Sequence, residues 1–136
     1  MIEYYNQSYT KEQIEVVLST IQECVQNDRF SISLNENRQE NIDFINSYNL
    51  SAAKRKNILL RIETDDFCHT LNNIKLGFEH EVLYVFCPQI VLFNFEGEEE
   101  LVDIYTKFNI IEDDTGNNVV TISFHKTNKP LDYLFR

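Results

Sequence analysis

Tryptophan is absent from this chain, and glycine and proline are scarce: three glycines and two prolines in 136 residues. The glycines, Gly77, Gly97 and Gly116, stand far apart, so neither a P-loop nor a dinucleotide-binding glycine pattern occurs. HExxH and GxSxG are missing too, which argues against the common zinc-protease and α/β-hydrolase sites. No apolar run approaches the roughly 18 residues that a membrane span needs. The N-terminus is polar and lacks the apolar core of a signal peptide, so the expected compartment is the cytoplasm. Cys24, Cys68 and Cys87 are odd in number and form no CxxC. That speaks against a disulfide framework or a zinc site, and for free thiols in a reducing compartment. The three histidines, His69, His80 and His125, come from distant segments, and neither a metal nor another cofactor is expected.

Positive charge is also in short supply. Lysine and arginine number 12 against 22 acids, a net charge of −10. Such a surface on average repels nucleic acid and favours basic partners. The distribution is uneven. Lys54, Arg55, Lys56 and Arg61 form a basic cluster, and Lys126, Lys129 and Arg136 make the C-terminal end positive. Acid concentrates at Glu96, Glu98, Glu99, Glu100 and Asp103, and again at Glu112-Asp113-Asp114.

The strongest pattern that is present runs from Leu101 to Lys126. Two β-rich arms flank Asp114-Thr115-Gly116-Asn117, where Gly and Asn tolerate positive φ, so the stretch predicts a β-hairpin. Alternation in the second arm places Val120, Ile122 and Phe124 on one face and Val119, Thr121, Ser123 and His125 on the other. Earlier, Thr10-Lys11-Glu12-Gln13 is a capping box before Ile14, Val17, Leu18, Ile21 and Val25 at helical spacing, which predicts a helix over 11–27. Phe30 to Leu34 alternates as a short strand. Asn35 and Ser51 cap two further helices, the second directing Ile58, Leu59 and Ile62 inward and Lys54, Arg55 and Arg61 outward. Thr64 to His69 reads as a capped helical turn, 70–80 as a loop around Gly77, and 81–86 and 90–95 as strands separated by Pro88. An acidic turn over 96–100 precedes the hairpin. Residues 1–9 read as a loosely docked lead, and the apolar tail after Pro130 as a segment that docks, with the sheet edge as one seat. At this length the chain is expected to be a single domain over 1–136. Its class is α+β, with N-terminal helices packed on one face of an antiparallel sheet of about four to five strands.

Three groups are suited to moving protons: His69 after the helical turn, Tyr105 on the first hairpin arm and His125 near the end of the second. Cleavage of an RNA phosphodiester needs a base for the 2′-hydroxyl, an acid for the leaving oxygen and cations or hydrogen-bond donors for the phosphorane. Histidine titrates near neutrality and can fill either proton role. Lys107 and Lys126, together with Lys54, Arg55, Lys56 and Arg61, are the candidate RNA-binding cations.

The chain resembles the motility quorum-sensing regulator (MqsR) toxins, and most of all a branch associated with Gram-positive bacteria. The residues that carry the likeness are Ser31-Ile32-Ser33-Leu34-Asn35-Glu36-Asn37-Arg38 with Asn41-Ile42-Asp43-Phe44, then Asp65-Asp66-Phe67-Cys68 and Val85-Phe86-Cys87-Pro88. Asp103-Ile104-Tyr105-Thr106-Lys107, Ile122-Ser123-Phe124-His125-Lys126 and Pro130-Leu131-Asp132-Tyr133 complete an ordered set over about residues 10–133. The resemblance implies a RelE-like α+β fold and a metal-independent mRNA interferase, the toxin of a type II toxin–antitoxin pair. It also implies an antitoxin partner that contains zinc and binds DNA. In better-known members the proposed catalytic groups are a Lys after the helical-turn Phe, a Tyr in the penultimate strand and a Lys ending the last strand. Here Tyr105 matches the Tyr, the first Lys position falls on His69, and the last falls on His125 with Lys126 adjacent. A Gln that those members place before the Pro-containing turn falls at about Val85. Two alternatives stay open. One is a non-catalytic acidic protein on the same fold, a degenerate toxin or a mobile-element or phage protein that occupies a nucleic-acid-binding site of a basic partner. The other is an unrelated helper domain.

Overall fold

The structure is a computed structural model and describes residues 5–136. Helix α1 (Lys11–Gln26) starts at the capping box: Gln13 N–H donates to Thr10 Oγ1, and Thr10 N–H donates to Gln13 Oε1. Its buried stripe is Ile14, Leu18, Ile21 and Val25. Strand β1 (Phe30–Ile32) follows. A 3-10 turn capped by Asn35 leads into α2 (Gln39–Ser47), and Ser51 caps α3 (Ala52–Leu60). Five more strands complete the chain: β2 (Phe67–Asn72), β3 (Val82–Phe86), β4 (Gln89–Phe93), β5 (Glu99–Asp113) and β6 (Gly116–Lys126). No helix among the described residues is long and apolar enough to cross a membrane.

The class is α+β as expected, but the sheet is larger and mixed. Its order is β1-β6-β5-β3-β2, with β4 also paired to β5, and β1 runs parallel to β6. β1 contributes only three residues, and its partner lies about two thirds of the chain away (Phe30 faces Val119), so no local pattern carries its direction. The helical turn stops at Asp66, and residues 67–72 are a strand rather than the end of a turn and a loop. Phe67 has extended φ and ψ, and β2 pairs with β3 on one side and bridges Asn6 on the other. The lead is therefore seated from residue 5 onward. Asn6 exchanges two backbone hydrogen bonds with Thr70, and Gln7 Nε2 donates to the Cys68 carbonyl. Residues 1–4 lie outside the described residues. The acidic run is split as well, because Glu99 and Glu100 belong to β5.

Four fully buried phenylalanines, Phe67, Phe86, Phe108 and Phe124, join the sheet to the helices in one core. Edge-on ring contacts link Phe67 to Phe86 and Phe86 to Phe108, the orientation that the aromatic quadrupole favours. The outer face carries a second, smaller core. Cys68, Val85 and Cys87 lie there under Leu71, Tyr105, Leu131 and Tyr133. The C-terminal tail covers it: Tyr133 Oη donates to the Cys87 carbonyl at 2.7 Å, Leu134 N–H donates to the Phe67 carbonyl, and Arg136 pairs with Asp66 at 2.7 Å.

The simple alternation expected in β6 is broken by a bulge. Lys107 faces Ser123 and Phe108 faces Thr121, so Ile122 has no partner on β5. Val119 and Thr121 therefore share the helix side with Phe124, while Ser123 and His125 stay on the outer side. Asn41 holds this place. Its Nδ2 donates to the carbonyls of Ser33 (2.8 Å) and Ile122 (3.0 Å), and its Oδ1 accepts from Phe124 N–H (2.9 Å). The side chain is 1% exposed. Asn41→Ala leaves these buried groups without partners and is expected to destabilise the protein by about 2–4 kcal/mol. Urea unfolding measures this, and a change below about 0.5 kcal/mol would show that solvent satisfies those groups.

Candidate functional site

The ladder register sorts the outer-face side chains into rows. His69, Val85, Lys107 and Ser123 form one row across β2, β3, β5 and β6, and Tyr105 faces His125 in the next. Strands lie about 4.8 Å apart, so Lys107 adjoins Ser123, whereas the His69 and Ser123 backbones are about 14 Å apart. Around Tyr105, Lys107, Ser123 and His125 opens a cleft of about 310 Å³. Arg38 and Glu40 from the start of α2 wall one side, and Asn128 and Lys129 beyond β6 wall another. Three cations thus face one carboxylate in a protein of net charge −10.

His125 is oriented. Its Nδ1 lies 2.8 Å from the Lys126 carbonyl, an oxygen that only accepts, so in the neutral imidazole Nδ1 carries the hydrogen and Nε2 the lone pair. Glu40 Oε2 stands 3.9 Å from the same Nδ1 and accepts a hydrogen bond from Asn128 Nδ2 at 3.0 Å. The Tyr105 ring stacks against the imidazole with centroids 5.4 Å apart. Burial, with smaller contributions from Tyr5, Cys68 and Cys87, pushes the Tyr105 phenol up to about 12. At neutral pH it is therefore a hydrogen-bond donor and not a phenolate. Lys107 moves the other way. Burial first, and the Arg38 charge second, lower its pKa below the usual lysine value, which makes its ammonium a stronger acid.

The other candidates lie elsewhere. His69 is 3% exposed on β2, where its ring stacks on Tyr5 with centroids 4.0 Å apart. It borders a neighbouring depression with Gln7 and Asp132, and Tyr5, Lys129 and Leu131 separate that depression from the cleft. Lys126, one residue beyond His125, alternates to the helix side. It pairs there with Glu100 at 3.0 Å and lies over the Tyr48 ring. The basic cluster of α3 also belongs to the helix side. Lys56 reaches Gln26 and Asp28, Arg55 Nε donates to the Leu50 and Ser51 carbonyls, and Lys54 and Arg61 line a groove against β4.

So the structure brings together Tyr105, Lys107 and His125, and leaves His69, Lys126, Lys54, Arg55, Lys56 and Arg61 outside. Sequence reasoning missed Arg38, Glu40, Ser123, Asn128 and Lys129 as cleft residues. Arg38 lies inside the Ser31–Arg38 stretch and Lys129 in the basic C-terminal end, so both left a trace; Glu40 left none. Among the described residues no group of three or more His, Cys, Asp or Glu is placed to hold a metal ion.

Arg38→Ala is expected to raise the Lys107 pKa while leaving it below the ordinary lysine value, because burial is the larger cause. Carbon-13 shifts of the lysine Cε during a pH titration report this, and an unmoved Lys107 would show that the two cations do not sense one another.

Comparison with family models and with curated proteins gives no match for this chain.

Proposed function

We propose that this protein is an mRNA-cleaving toxin of the MqsR type, acting in the cytoplasm and held in check by an antitoxin that contains zinc and binds DNA. The observation that carries the reading is the cleft itself. An oriented imidazole with a free Nε2 stands beside a protonated phenol, in a hollow where cations outnumber acids. The cations of that hollow stand beside the proton-moving groups, which favours a phosphodiester there.

The side chains divide the reaction between them. His125 Nε2 accepts the 2′-hydroxyl proton, and the 2′-oxygen forms a bond to phosphorus. Arg38 and Lys129 offset the charge that grows on the non-bridging oxygens, with the Tyr105 hydroxyl as a further donor. The bond to the 5′-oxygen breaks, and the Lys107 ammonium, whose proton affinity is already lowered, protonates the leaving group. The products are a 2′,3′-cyclic phosphate and a 5′-hydroxyl. A His stands at the position where better-known members end the last strand in Lys. His69, at the other Lys position, plays no part in this scheme.

A second reading, a non-catalytic acidic protein on the same fold, draws support from the acids around exposed Phe93 and Phe95. Inducible expression with primer extension on cellular mRNA separates the two. The nuclease reading expects growth arrest and discrete new 5′ ends. Purified His125→Ala should lose about 10²–10⁴-fold in cleavage rate, while His69→Ala retains most activity. Cleavage should persist in EDTA, and Arg38→Ala or Lys129→Ala should each flatten the salt dependence of RNA binding by about one charge. Cuts that survive in His125→Ala would overturn the assignment. Soluble, folded protein with neither arrest nor cuts would select the second reading.

A further inference from the structure

Strand β4 is paired along one edge only. β5 holds its inner edge, and no strand of the described residues lies along the other. Beyond Pro88 the β4–β5 hairpin continues past the point where β3 leaves β5. One face of this arm, Ile90, Leu92 and Val102, belongs to the main core. The other face sets Val91 opposite Leu101 and Phe93 opposite Glu99. Phe93 is 64% exposed, Leu101 63% and Phe95, in the turn, 95%. Exposed apolar side chains on an open strand edge are a template for pairing with another chain.

Charge identifies the kind of chain. Glu96, Glu98, Glu99 and Asp103 surround the apolar face, and each copy carries a net −10. Pairing two copies at this edge would set those carboxylates against one another, which disfavours a homodimer. A partner with lysines or arginines beside its apolar residues meets attraction at the same place. On the helix side, a groove of about 340 Å³ between α3 and β4 is floored by Leu50, Ala53 and Ile58 and carries Lys54 and Arg61. A strand added to β4 therefore places apolar side chains in the groove and directs its basic residues toward the arm's outer face and turn.

We infer that the outer edge of β4, with Phe93, Phe95 and Leu101, receives an extended segment of another protein, apolar with basic residues, as an added strand. The site is independent of the nuclease reading. Leu101 lies about 13 Å along β5 from Tyr105, so a strand docked on β4 leaves the cleft open.

The test uses the whole protein and a synthetic peptide of about twelve residues, with valine and threonine alternating at its centre and arginines at its ends. Calorimetry and amide NMR follow its binding. Expected are shifts concentrated at Gln89–Phe93, at least tenfold weaker binding to Phe93→Ser and to Glu98→Lys/Glu99→Lys, and weakening with added salt. A matched peptide with glutamates at its ends should not bind. Equal binding of the two peptides, or shifts away from β4, would overturn the inference, as would failure of the arginine peptide to bind at millimolar concentration. A dimer in sedimentation that Phe93→Ser abolishes would assign this face to a second copy and overturn it too. None of these results alters RNA cleavage by the wild type, so this inference and the nuclease reading fail separately.

Discussion

The side-chain amide of Asn41 ties α2 and the segment leaving β1 to the edge of β6. β1 stops at Ile32, and along the edge where it stops β6 still presents the Phe124 N–H and the carbonyl of the bulged Ile122. An amide side chain offers an acceptor oxygen and two N–H donors in one plane, the same kinds of group that backbone presents. Asn41 uses all three, supplying a rung where the strand has run out. The burial of that rung makes it an anchor, because each group it satisfies would otherwise lose water without compensation. Arg38 and Glu40 lie within three residues of Asn41, so the contact that closes the sheet edge also carries those two charges to the mouth of the cleft.

The outer face owes its chemistry to partial covering. Where the tail packs down, titratable groups are forced toward their neutral forms: the Cys68 thiol is pushed up to about 12 and the Cys87 thiol to about 11, mainly by burial. These thiols are poor nucleophiles and behave as core. Tyr105 sits at the border, packed against this small core and also lining the cleft. One burial gradient therefore yields inert sulfur on one side and a protonated phenol beside an oriented imidazole on the other.

Features written in local sequence were legible. The capping box, the Ser51 cap and the two-residue turn before Gly116 are short-range chemistry, and each appears where the pattern places it, whereas Asn35 caps the 3-10 turn over Glu36–Arg38 and α2 starts after Arg38 without a side-chain cap. What escaped depends on partners far along the chain. β2 holds Cys, His, Thr and Asn with little alternation, and its strand character comes from β3 and Asn6 on either side. The bulge at Ile122 has no signal in residue type, yet it decides which face Val119 and Thr121 join. At the candidate site, the strand period alone separates His125 from Lys126, while the α3 cations are removed by lying in the other layer. Glu40 came into view only through its position beside Asn128 and His125.

The same long reach bears on the order in which the molecule assembles. The β5–β6 hairpin closes over two residues, so Tyr105, Lys107, Ser123 and His125 take their relative places through local contacts that form early. The contacts that add Arg38 and Glu40 span 81 and 83 residues, through Asn41 to Ile122 and Phe124, and the loop-closure entropy of such pairs is met late. β1 is three residues long and, among the described residues, paired on one side, so local opening at this edge has few backbone rungs to break beyond the Asn41 contacts. Excursions of this kind would carry two charged walls of the cleft away while its floor stays folded.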